Sequence, residues 1–167
     1  MIIDSTNAST EQGRPFLKSG SYSIRCLNCE KQISKKKNPL LVFTYEICSP
    51  EQVTDAEGKP VRIAGLQLMD WIVFSGNNEK SISKLRALNE LTDQPLKIDI
   101  DDPAQLKGYV GKAIKVRLVT EGGILTDENT GEPITKNGAP VTANNYRLRE
   151  ILDKDESNTI PADAVAY

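Results

Sequence analysis

The chain has no histidine, few aromatic residues (5%), only three cysteines and a formal net charge of -2 in 167 residues. Each scarcity removes a class of function. Without histidine the commonest general base and metal ligand is missing, and no nucleophile elbow, phosphate-binding glycine loop or zinc-hydrolase motif takes its place. A near-neutral, slightly acidic balance argues against a duplex-binding protein whose whole surface is dominated by Lys and Arg, so local charge has to decide. No apolar run reaches membrane-spanning length, and Met1-Ile2-Ile3-Asp4 does not open a basic-plus-apolar leader, so a soluble cytoplasmic protein without membrane partners is expected.

Cys26, Cys29 and Cys48 are an odd set and do not suggest a disulfide framework. The Cys-x-x-Cys spacing raises zinc, but three thiolates would need a carboxylate as fourth ligand. A redox pair would need a strand-then-helix setting, which Cys26-Leu27-Asn28-Cys29 lacks. Small buried hydrophobes are the plainer reading, and no cofactor is expected.

What is present begins with one domain's worth of chain. Residues 1–19 are polar and aperiodic and read as a flexible arm; 20–152 read as the folded domain; 153–167, with Asp153, Asp155, Glu156 and Asp163, read as an acidic, disordered tail. Within the domain, Tyr22, Ile24 and Cys26 alternate with Ser21, Ser23 and Arg25 as a half-buried strand. Lys35-Lys36-Lys37-Asn38-Pro39 then forms a basic turn into a second strand. There Leu41, Phe43, Tyr45 and Ile47 share one face, and Leu40, Val42 and Thr44 the other.

Ser49 to Pro60 reads as a loop, and Val61 to Phe74 as one long third strand with a bulge or bend at Gly65. Asn77-Asn78-Glu79 opens a helix through Ile82, Leu85, Leu88 and Leu91, which Pro95 ends. Asp102-Pro103 caps a short turn to Gly108. A fourth strand follows at Ile114, Val116 and Leu118, its other face cationic through Lys115 and Arg117. A long loop from Gly122 to Pro140 leads to a fifth strand around Tyr146 and Leu148. The order makes a mainly β fold, a five-stranded OB-fold-like barrel with one helix between strands 3 and 4, whose strand 2 and 3 face and two long loops commonly bind oligonucleotides. A β-sandwich with a peripheral helix is the alternative.

Several stretches resemble those of small phage-encoded single-stranded DNA-binding proteins of the OB-fold type. They are Gly20-Ser21-Tyr22, Ser34-Lys35-Lys36-Lys37-Asn38-Pro39-Leu40, Val61 to Phe74 with the Lys84-Leu85 helix, Asp101-Asp102-Pro103-Ala104-Gln105-Leu106-Lys107-Gly108, and the acidic end. The resemblance spans roughly Gly20 to Ile151 and rests on order and spacing. It implies sequence-tolerant binding and protection of single-stranded DNA in replication or recombination in a host cytoplasm. RNA is the other single strand to consider, the tail would recruit replication or recombination proteins, and a homo-oligomer is compatible. One departure is the ending Val165-Ala166-Tyr167, where bacterial counterparts carry a dense acidic run and a terminal Pro-Phe; it speaks against recruitment through the tail.

The residues expected to meet the strand are the cations Arg25, Lys35, Lys36, Lys37, Arg62 and Lys136, on phosphates, and the aromatics Phe43, Tyr45, Trp71 and Phe74, on bases. Each aromatic also has a place waiting in a core that has few of them, and each strand cation could be a wetted face. Two rival classes remain. An enzyme would have to use Asp99, Asp101 and Asp102 as a metal site, although Asp102 before Pro103 is explained as a helix cap; the expectation is no catalysis. A non-enzymatic protein-binding or virion module would use the 122–140 loop and keep every aromatic in the core.

Overall fold

The computed structural model of the chain describes residues 2, 19–54, 58–76, 78–124, 130, 132, 135–136, 138–140 and 142–167. The expected arm, 1–19, lies outside the described residues apart from Ile2 and Ser19.

The alternation that begins at Tyr22 continues well past Cys26, giving β1 (Gly20–Ile33). The lysine turn folds the chain back into β2 (Pro39–Ser49). Two three-residue strands, β3 (Gln52–Thr54) and β4 (Pro60–Arg62), make a small antiparallel ribbon of their own. After it come β5 (Gln67–Val73), α1 (Glu79–Leu91), α2 (Pro103–Leu106) and a 3-10 turn at Lys107–Tyr109. The chain then crosses to β6 (Ala113–Ile124), a two-residue pair β7 (Thr135–Lys136) and β8 (Ala139–Pro140), and β9 (Thr142–Lys154). The main sheet is five-stranded and antiparallel in the order β5-β2-β1-β6-β9.

Three expectations are corrected. The long third strand from Val61 to Phe74 is two strands, because the chain turns at Ala64-Gly65, where Gly65 takes φ 87° and its N–H donates to Ile47 O. With β3 and β4 added, the main helix lies between β5 and β6 in chain order, and a second short helix follows it. The sheet is also not a closed barrel: β5 and β9 are its edges, and no ladder joins them among the described residues. A local cause is visible on β5. Phe74 N–H donates to Pro39 O, which sets the register so that Trp71 and Val73 turn their backbone groups away from β2. Two of those outward groups find a partner within the chain, Trp71 N–H in the Asp70 carboxylate and Val73 O in Ser81 Oγ at 2.6 Å.

The core lies on one face of the sheet. Ile24, Leu41, Phe43, Tyr45, Ile47, Leu68, Ile72, Ile114, Val116 and Leu118 close on Leu88 of α1, Leu106 of α2 and Tyr109. Phe43 stacks on Tyr45 (centroids 5.9 Å apart, planes 11° apart) and meets Tyr109 edge-on at 5.3 Å. The Tyr109 hydroxyl donates to Asn89 Oδ1, so the buried polar tip has a partner. A bulge in β1 between Cys26 and Asn28 lets both Cys26 and Cys29 join this core, whereas an unbroken strand would send residues three apart to opposite faces. Burial then pushes the Cys26 thiol up to about 12 and raises Cys29 further, as expected of thiols packed among apolar side chains.

The segment 153–167 does not stand apart as a disordered tail. Strand β9 runs through Lys154, and 3-10 turns follow at Glu156–Asn158 and Ala162–Ala164. Asp155 is 5% exposed and accepts hydrogen bonds from Ser23, Ser157 and Asn158. Arg25 Nε donates to Asn158 O at 2.7 Å, Thr159 Oγ1 accepts from Ala113 N at 3.0 Å, and Ile160 N–H donates to Gly111 O at 2.9 Å. The polar residues that looked like linker composition are a strap across β1 and the start of β6. No helix among the described residues is long and apolar enough to cross a membrane.

Candidate nucleic-acid interface

Lysine side chains repel one another, so three in sequence need a turn that splays them. Here Ser34 N–H donates to Asn38 O and Lys37 N–H to Ser34 O, both at 2.8 Å, and Ser34 Oγ accepts from Asn38 N at 3.0 Å. Lys37 closes the turn with φ 63°, a left-handed conformation that favours Gly or Asn and that a lysine occupies at a cost. All three lysines are exposed, and none is ion-paired among the described residues.

The strands that leave this turn carry a regular face opposite the core. Cross-strand registers align three rows: Gln32, Leu40 and Val73 nearest the turn; then Glu30, Val42 and Trp71; then Asn28, Thr44 and Met69. Directly paired residues share a sheet face, so β1 supplies a polar rim, β2 a floor and β5 an apolar rim. The floor residues Leu40, Val42 and Thr44 are buried; Met69, Trp71 and Val73 are exposed, Trp71 at 53%. Alternation alone produces this on β5, where Leu68 and Ile72 go inward.

Behind Trp71 the edge is fixed electrostatically. Lys84 Nζ of α1 lies 2.6 Å from Asp70 Oδ2. Burial nevertheless raises the Asp70 carboxyl above its usual range, against the lowering effects of Lys84, the Trp71 N–H and the Arg147 charge. Trp71 N–H and Val73 O are already engaged, so two of β5's outward backbone groups are closed to an incoming strand, while the side chains Met69, Trp71 and Val73 stand free in solvent.

The expected site residues divide. Lys35, Lys36, Lys37 and Trp71 lie on one hairpin and its neighbouring strand, with side chains in solvent. Phe43 and Tyr45, 0% and 2% exposed, are corrected to core residues: β2 is flanked by β1 and β5, and its odd-numbered side chains pack on Tyr109 and α1's side of the sheet. Phe74 is half-buried against the same core. Arg25 is committed to Glu46 at 2.8 Å and to Asn158 O, so its guanidinium ties the strap to the sheet. Arg62 lies on the separate β3–β4 ribbon in a solvent-exposed pair with Glu51. Lys136 lies in β7, and its side chain is outside the described residues.

The acidic cluster is spoken for by local structure. Asp102 Oδ1 accepts from Ala104 N at 3.0 Å as the cap of α2, Asp99 Oδ1 accepts from Asp101 N at 2.9 Å, and Asp101 pairs with Lys31. Reading β1 only as far as Cys26 hid the polar rim. Asn28, Glu30 and Gln32 alternate visibly in the sequence, but the extra residue Leu27 breaks the phase that would have joined them to Tyr22, Ile24 and Cys26. Met69 and Val73 share Trp71's alternation and were legible once Trp71 was placed outward. Compared with known proteins, the chain matches no family model and finds no significant match among curated proteins.

Proposed function

We propose that the chain binds single-stranded nucleic acid, with DNA as the primary ligand, and protects it during replication or recombination of the phage type its sequence resembles. The supporting observation is the joint placement of an exposed Trp71 and three unpaired lysines on one β1–β2–β5 unit, roughly 16 Å apart at the strand rise of an extended chain. Lysines take phosphates, and the indole takes a base face, worth about 1–3 kcal/mol per base and tolerant of sequence. The sheet order agrees with an OB-fold read as a partly open barrel, in which the strand 2 and 3 face is the binding surface.

The test is a titration of labelled single-stranded and duplex oligonucleotides at two salt concentrations. Three neutralised phosphates give a slope of about -2 in log affinity against log salt, or about a 20-fold loss between roughly 50 and 200 mM. A flat salt response, or tryptophan fluorescence indifferent to oligonucleotide, would instead favour a protein partner on the Met69-Trp71-Val73 rim.

A further inference from the structure

We infer that the polar rim reads base edges and that Glu30 makes the face selective for guanine; this rests on the single-strand binding proposed above. A carboxylate is an unexpected neighbour for a polyanion, yet Glu30 is exposed in the middle row, across Val42 from Trp71. Two strand spacings separate them, roughly 10 Å between backbones, a span that one nucleobase stacked on the indole can bridge. Phosphate beside Glu30 is repelled, so a bound strand runs its backbone on the lysine side and turns its bases inward.

Glu30 is also held in place. Gln32 Nε2 donates to Glu30 Oε1 at 2.7 Å, and no cation pairs with this carboxylate among the described residues. An ionised carboxylate only accepts, through two oxygens side by side. Guanine alone presents two adjacent donors, N1–H and the N2 amine, on the edge that single-stranded DNA leaves open. Adenine and cytosine set one donor beside a ring acceptor, and thymine flanks its one donor with carbonyls, so each forces an oxygen against a lone pair. A bidentate match of this kind typically discriminates by about 10-fold or more.

The experiment compares the full chain and Glu30→Gln on d(TG)10, d(TI)10 and d(T)20, where inosine deletes only the N2 amine. Expected is about 10-fold tighter binding of d(TG)10 than of the other two in the full chain, and a d(TG)10 to d(T)20 ratio near one in Glu30→Gln, whose d(T)20 affinity is at or above the wild-type value because a charge that repels phosphate and clashes with thymine carbonyls is gone. Equal affinity for all three oligonucleotides, or a guanine preference that persists in Glu30→Gln, overturns the inference and leaves single-strand binding standing. Failure to bind any of the three overturns both.

Discussion

The carbonyl oxygen of Ile160 occupies the place that a β-carbon on Gly111 would need, while the Ile160 N–H donates to Gly111 O at 2.9 Å. Gly111 takes φ 86°, so backbone conformation and contact both demand glycine. Gly111→Ala should therefore cost on the order of 3 kcal/mol, from left-handed strain plus loosening of the strap. Urea denaturation reads this directly; an unmoved midpoint would mean that the strap contributes nothing to the fold.

The same strap predicts an acid limb of stability. Burial would raise the Asp155 carboxyl, but hydrogen bonds from Asn158, Ser157 and Ser23 outweigh it and hold the group at about 2. A carboxyl depressed in the folded state contributes stability above its ordinary range near 4, and loses it as pH falls from there towards 2. Allowing for solvent screening, the contribution is on the order of 1 kcal/mol. The difference in stability between the wild type and Asp155→Asn should shrink over that window, and a difference that stays constant down to pH 2 would contradict the assignment.

Lys37 separates stability from binding. Replacing it with glycine relieves a left-handed residue and should stabilise the chain by about 1 kcal/mol, while removing one phosphate contact. Calorimetry should show a higher melting temperature, and the salt slope for single-stranded DNA should fall by about 0.7. A slope identical to wild type would remove Lys37 from the interface.

Trp71 and Phe43 should behave as opposites although both are aromatic and on neighbouring strands. Phe43→Ala empties a fully buried position and should cost about 3–5 kcal/mol. Trp71→Ala exposes little and should leave folding within about 1 kcal/mol of wild type, yet weaken oligonucleotide binding roughly 10-fold. Retained affinity in Trp71→Ala would move the ligand elsewhere.

These contrasts show where the sequence was readable. The alternation of Leu68 and Ile72 against Met69 and Trp71, the fourth strand with Lys115 and Arg117 outward, and the Asp102 cap all follow from local periodicity, and the structure has them in place. Phe43 and Tyr45 could not be faced from sequence, because β2 is apolar on both sides and alternation gives two faces without saying which meets Tyr109. The strap was illegible for another reason. Asp155, Asn158 and Thr159 find their partners in Ser23, Arg25 and Ala113, tens of residues or more away, and composition cannot distinguish a satisfied polar residue from a solvated one. Gln52–Thr54 is too short for any periodicity to register.

Asp70 and Ser81, which take up the outward Trp71 N–H and Val73 carbonyl, have one further effect. A sheet margin bearing Met, Trp and Val is the sort of surface that templates addition of further chains, one strand after another, into insoluble stacks. With two of that margin's outward backbone groups taken by its own side chains, and Lys84 drawn to Asp70 beside them, such strand-on-strand addition meets fewer free partners along the sticky stripe than a bare edge would offer.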